Sequence, residues 1–155
     1  MKVFKYHTVL NNDFIPYLVH EDNGKYIVDK RKLFNTPSII KDFCVTQLNM
    51  DCLAEEYCYC FCLDSKCKLI GFFEVSHGTI EASLVSPREL FQKVLLLGGK
   101  QIVIAHNHPS GDCTPSQEDF SVTEKIDNGC KLLDLHLVDH IIIGRDCYYS
   151  MEENK

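Results

Sequence analysis

The pattern of apolar and polar positions is weakest at the start of the chain. Over about the first 35 residues, short apolar pieces at Val3 to Tyr6 and Tyr26 to Val28 are broken by the turn-forming clusters Asn11-Asn12-Asp13 and Asp22-Asn23-Gly24. A small irregular or hairpin-like lead-in is expected. Asn35-Thr36-Pro37 then offers a cap followed by a proline at a helix start. From Ser38 to Leu48 the residues Ile39, Ile40, Phe43, Cys44 and Leu48 fall largely on one face, which predicts a short amphipathic helix.

Beyond Glu56 the period shortens to two. Tyr57 to Leu63 and Leu69 to Ser76 read as strands joined by the Asp64-Ser65-Lys66 turn, an antiparallel hairpin, with a further extended piece at Thr79 to Val85. Pro87 opens a helix through Leu90, Phe91, Val94 and Leu97, closed by Gly98-Gly99. Gln101 to Ala105 is a short buried strand. A third helix is expected from Pro115 to about Asn128, with Gly129 as its stop, because Phe120, Thr123 and Ile126 recur at every third position. Leu135 to Ile143, rich in β-branched residues, forms a strand, and Cys147 to Ser150 pairs with it across the Gly144-Arg145-Asp146 turn. The expected fold class is α/β: a mixed β-sheet flanked by helices, without internal repeats.

A length of 155 residues suits one hydrophobic core. Sixteen basic against 22 acidic residues give a net charge of -6, so no global positive field draws in a phosphate backbone. Nucleic acid is a possible partner that the charge does not support. No stretch approaches the ~20 apolar residues that cross a bilayer, and the first residues lack a signal-peptide core, so no membrane partner and a cytoplasmic location are expected.

The nine cysteines are odd in number and contain no C-x-x-C pair, which fits free thiols in a reducing compartment. Cys58, Cys60 and Cys62 alternate with Tyr57, Tyr59 and Phe61 along one strand. Such i, i+2 positions converge poorly on a tetrahedral ion, so these thiols are expected to act as small buried hydrophobes. Cys113, in the loop beside the candidate site, is open to oxidation.

The chemistry concentrates in His106-Asn107-His108-Pro109-Ser110-Gly111-Asp112-Cys113-Thr114-Pro115-Ser116-Gln117-Glu118-Asp119. His106 and His108 lie two apart at a strand end, so both imidazoles leave the same face and can meet one ion. Asp119 completes three protein ligands. Nitrogen and oxygen ligands with one position left for water make a catalytic zinc arrangement, because structural sites close all four positions. Such an ion lowers the pKa of its water toward ~7 and polarises the carbonyl under attack. Thr114-Pro115-Ser116-Gln117 reads as N-cap, proline at N1 and glutamine at N3 of the next helix. Ser116 and Asp119 then share one helical face, which aims Ser116 at the water or the developing oxyanion. The two histidines alone favour a structural role; the full string reverses that balance.

That string resembles the JAMM signature, H-x-H followed by P-S-x-x-D, and is similar to its RadC version, with Cys113 where that family usually has proline. The resemblance continues through Leu53-Ala54-Glu55-Glu56, Ser76-His77-Gly78-Thr79, Val85-Ser86-Pro87-Arg88-Glu89 and Leu137-Val138-Asp139-His140-Ile141, roughly the last two thirds of the chain. It implies a cytidine-deaminase-like JAMM (MPN) fold, with a long helix on one side and the metal at the sheet edge. It further implies a RadC-like JAB/MPN domain over residues 53–155, with residues 1–52 as a lead-in packed on it. One zinc per chain on His106, His108 and Asp119 is expected. Among Glu55, Glu56, Glu74, Glu81 and Glu89, the resemblance selects Glu56 as general base and then acid, with Glu74 second. Ser116 would assist at the oxyanion, and the substrate would be a peptide or isopeptide. Arg88 and Glu89 open a helix, and Asp139 with His140 is expected to be a buried, satisfied pair.

RadC-like proteins carry a repair label, so a metal-stabilised interaction module of DNA repair or mobile-element systems is the rival reading. The helix-hairpin-helix region that usually precedes such domains is not recognisable in residues 1–52, and the charge is acidic. A deaminase is disfavoured because H-x-E and P-C-x-x-C are absent, and a nuclease because a second set of metal-binding carboxylates is not evident.

Overall fold

The computed structural model describes every residue except Lys30 and 79–84, and gives backbone alone at 22–25. The extended piece expected at Thr79 to Val85, apart from Val85, lies outside the described residues, and so does Glu81. The chain runs β1 (Lys2–Leu10), β2 (Pro16–Ile27), α1 (Pro37–Leu48), β3 (Glu56–Leu63), β4 (Leu69–Gly78), α2 (Pro87–Leu96), β5 (Gln101–Asn107), α3 (Gln117–Leu132), β6 (His136–Ile143) and β7 (Tyr148–Ser150). Among the described residues these strands form one seven-stranded sheet in the order β2-β1-β4-β3-β5-β6-β7. It is mixed: β3 is antiparallel to both β4 and β5, β5 is parallel to β6, and β1 is parallel to β4. The expected mixed sheet flanked by helices is what forms.

Strand alternation sorts the side chains into two cores. From β3, Tyr59, Phe61 and Leu63 enter one core with Ile40, Phe43 and Cys44 of α1 and with Val103 and Ala105 of β5. Cys58, Cys60 and Cys62 point the other way, against Leu90, Phe91 and Val94 of α2 and Ile126 and Cys130 of α3, beside Ile102 and Ile104 of β5. Helices therefore cover both faces, and each fully buried Phe or Ile contributes about 1.5–3 kcal/mol. The three alternating thiols are the small buried hydrophobes expected; burial pushes the Cys58 thiol up to about 12.

Pro37 and Pro87 open α1 and α2 as expected, with Thr36 and Ser86 at the N-cap positions and no capping bond from either side chain. Gly98, with φ +70°, ends the α2 segment. Of the two alternatives for the lead-in the hairpin holds, and two expectations change. The lead-in is a long antiparallel hairpin, β1 with β2, that extends the sheet through β1 beside β4. Its Asp22-Asn23-Gly24 cluster makes no chain reversal but falls in the irregularity between the partners Phe4–Lys25 and Tyr6–His20. Gly129 does not stop α3, which runs on to Leu132. A Cβ at Gly129 would lie 2.3 Å from the Phe91 ring, so this glycine lets α2 and α3 approach. Among the described residues, no helix is long and apolar enough to cross a membrane.

Candidate metal centre

The alternation that builds the second core also builds the site. On β5 the row Ile102, Ile104 ends in His106, and on β3 the row Cys62, Cys60, Cys58 ends in Glu56. Cys58 pairs with His106 across the two strands, so the polar ends of both rows meet. The cluster lies at the ends of two central strands rather than along a lateral edge of the sheet.

Asn107, the last residue of β5, is buried and fixes the start of β3. Its Oδ1 accepts from Tyr57 N at 2.8 Å and its Nδ2 donates to Glu55 O at 3.0 Å, a clamp on both sides of Glu56. The chain then leaves the sheet. His108 N donates to Ile143 O, and the turn closes through Gly111, at φ +85°, whose N donates to His108 O. Thr114 is not the helix cap: its N and Oγ1 both donate to Asp112 Oδ1. The cap is Ser116, and N3 is Asp119 in place of the expected Gln117. Ser116 Oγ accepts from Asp119 N at 3.2 Å, while Ser116 N and Oγ donate to Asp119 Oδ2 at 2.7 and 2.8 Å. Ser116 Oγ thus faces the Asp119 carboxylate.

Four side chains converge. His106 Nε2 lies 3.0 Å from His108 Nε2 and 3.0 Å from Asp119 Oδ1. Asp119 Oδ2 is 3.5 Å from His108 Nε2, and Glu56 Oε1 is 3.9 Å from His106 Nε2. Glu56, His106 and His108 form a group whose donor atoms lie close enough together to hold a metal ion.

The hydrogen-bond network assigns the histidine tautomers. His108 Nδ1 faces the Asp112 carbonyl at 2.8 Å and must donate to it, which leaves Nε2 bare. Thr123 Oγ1 donates to Asp119 O at 2.6 Å and therefore accepts from His140 Nδ1, also at 2.6 Å. Burial holds His140 neutral, down to about 3, so its Nε2 accepts from His106 Nδ1 at 2.8 Å. His106 Nε2 is bare as well. Two imidazole lone pairs, flanked by two carboxylates, thus aim at one point, and a cation satisfies all of them.

A proton competes for that point. The hydrogen bond with Asp119 raises His108 above its ordinary value, whereas burial lowers His106. Burial opposes ionisation of Asp119, but once a proton rather than a cation occupies the Nε2 atoms, the hydrogen bonds they then make to the carboxylate outweigh burial and hold it well below the usual range. Glu56 has no such donors, and burial pushes it up to about 7.

Of the other glutamates, Glu74 lies on β4, bonded to Lys5 at 3.4 Å and to His77 at 2.6 Å. Glu55 touches the site through its backbone alone, and Glu89 is in the first turn of α2. His140, Thr123 and Asn107 were not found from sequence as parts of the site. A usable signal existed for His140. Neighbours on a strand face opposite ways, so Asp139 and His140 cannot share one environment. Asp139 accepts from Ser150 Oγ, while the His140 ring crosses to His106.

The expectation of free thiols fails at two positions. Cys113, in the loop, and Cys147, before β7, form a disulfide with Cα atoms 6.1 Å apart. The β6–β7 turn folds directly under the loop: a Cβ at Gly144 would lie 2.5 Å from Gly111 O.

Comparison with known proteins gives a consistent result. The RadC-like JAB domain family matches residues 34–155. A UPF0758 protein of Haemophilus ducreyi is 38% identical over 138 residues, covering 87% of this chain and 61% of that protein. A UPF0758 protein of Actinobacillus pleuropneumoniae serotype 5b is 42% identical over 93 residues, 60% of this chain and 42% of that one. A third, from Methanosarcina barkeri, is 46% identical over 92 residues, 59% and 40% of the respective chains. The chain thus spans no more than 61% of the length of these relatives.

Proposed function

This chain belongs to the RadC-like JAB domain family, and from that premise we propose that it is a zinc-dependent hydrolase of amide bonds, a peptidase or isopeptidase. The observation that carries the reading is the pair of bare Nε2 atoms, 3.0 Å apart, with Asp119 and Glu56 beside them. His106, His108 and Asp119 would hold the ion, since Asp119 is the nearer carboxylate. Nitrogen and oxygen donors suit zinc. When bound, zinc supplies a Lewis acid that polarises the scissile carbonyl and makes water more acidic.

The rest is the work of the protein's own groups. Glu56 is anchored by the Asn107 clamp and, with its carboxyl pushed up to about 7, exchanges a proton readily near neutral pH. Glu56 Oε1 takes a proton from the attacking water and returns it to the departing nitrogen. Ser116 fixes Asp119 and thereby the angle at which the carboxylate meets the histidines.

Metal analysis of the wild type beside His108→Ala is the direct test: about one zinc per chain is expected in the first and little in the second. Equal zinc content would sink the reading. On a panel of peptide and isopeptide substrates, Glu56→Gln should keep its zinc and lose turnover by at least ~100-fold. Retained hydrolysis in that variant would count against the assignment, and salt-dependent DNA binding without hydrolysis would favour the interaction module.

A further inference from the structure

The segment from His108 to Asp119 carries a side chain of the cluster at each end, so its order governs whether the cluster closes. Two backbone bonds tie it to the β6–β7 region: His108 N to Ile143 O at 2.9 Å, and Arg145 N to Gly111 O at 3.1 Å. The third tie is covalent, from Cys113 to Cys147 across a sequence separation of 34. Both cysteines are partly exposed, whereas Cys44, Cys58, Cys60, Cys62 and Cys130 are buried. Thiol exchange depends on access, so the bond beside the site is open to it while those five thiols are shielded.

We propose that Cys113 and Cys147 are a reversible thiol–disulfide pair that adjusts the metal affinity of the cluster, oxidation locking the loop of residues 109–116 and reduction freeing it. The inference rests on the reading of His106, His108 and Asp119 as metal ligands. In the reductive direction a dithiol attacks the Cys113–Cys147 bond, two electrons pass, both sulfurs take up a proton and the reductant leaves as its own disulfide. A small disulfide such as oxidised glutathione reverses the step. The locked loop already holds His108 and the start of α3 in place, so less order is lost on binding. The effect should be about tenfold in affinity, the size expected when a short ligand-bearing loop is preorganised.

The test uses the whole chain, either oxidised or reduced and freed of reductant without oxygen, with Cys147→Ser and Cys113→Ser prepared in parallel. Alkylation after denaturation should count two fewer thiols in the oxidised wild type. Amide exchange over residues 109–116 should be slower in that state, and zinc, titrated against a chelator, should bind about tenfold more tightly. Each serine variant should match the reduced wild type under both conditions. Equal exchange and equal zinc affinity in the two states, or no loss of free thiols on oxidation, overturns this proposal alone. If neither state binds zinc, the metal reading falls with it, and the exchange data still report whether the disulfide orders the loop.

Discussion

His106 presents a bare Nε2 to the cluster because its other nitrogen is held by His140, and that ring in turn by Thr123. Removing a partner behind a metal-binding histidine commonly costs 10–100-fold in affinity. His140→Ala should therefore weaken zinc binding by about that range, and Thr123→Val by less, with the far-UV spectrum preserved in both. Competition with a chromogenic chelator measures this, and unchanged affinity in His140→Ala would remove the relay. The contrast with His106 and His108 shows what a sequence can reveal. Their spacing and the string after them are local, so the pair was legible. The His140 contact is made across two parallel strands: strand alternation sets His140 apart from Asp139, but no local pattern names His106 as its partner. The cap failed for a different reason. Thr114 and Ser116 are both good capping residues around one proline, and only the three-dimensional position of Asp112, which captures Thr114, separates them.

At the scale of elements, the helices and the central hairpin followed from periodicity, but two features depended on neighbours. β1 and β2 were obscured because β1 deeply buries only Val3 and carries polar residues among the rest. Gly129 looked like a stop because glycine usually ends helices, whereas its place in α3 is set by the Phe91 ring on α2. The two readings predict opposite results for Gly129→Ala. In an open helix the change would stabilise by about 1 kcal/mol. Against a ring 2.3 Å from the new methyl it should destabilise by about 1–3 kcal/mol, seen as a lower urea midpoint with an unchanged slope. A stabilised variant would mean that α2 and α3 part more easily than their packing indicates.

For the whole molecule, the buried polar groups make stability depend on pH. His140 is held down to about 3 by burial, whereas an unfolded histidine titrates near ~6.5. The unfolded chain therefore binds a proton first as the pH falls, and stability present above ~6.5 is lost progressively toward 3. His106 is lowered and acts in the same direction; Asp119, also lowered, adds a loss below the ordinary carboxylate range. His108, Glu56 and Asp139 are raised and oppose them, because their native forms bind the proton more readily. Denaturant titrations of the metal-free protein between pH 7 and 4 should show the wild type losing stability relative to His140→Gln as the pH falls, which separates His140 from the opposing groups. Parallel profiles in the wild type and His140→Gln would show that His140 is not held as described.

The polar ends of the two strand rows also define an electrical boundary. Behind His106 and Glu56 lies the apolar packing of Ile104, Cys58 and Ile126, while the side chains of Glu56 and His108 retain 16% and 13% exposure. A charge placed among these groups is screened by water on one side alone. Its image in the low-permittivity core strengthens every attraction within the cluster and blunts the influence of added salt. The Cys58 thiol directly behind, pushed up to about 12, stays neutral there and offers no competing charge. The open side of the cluster is therefore the loop side, which can be reached without opening the sheet.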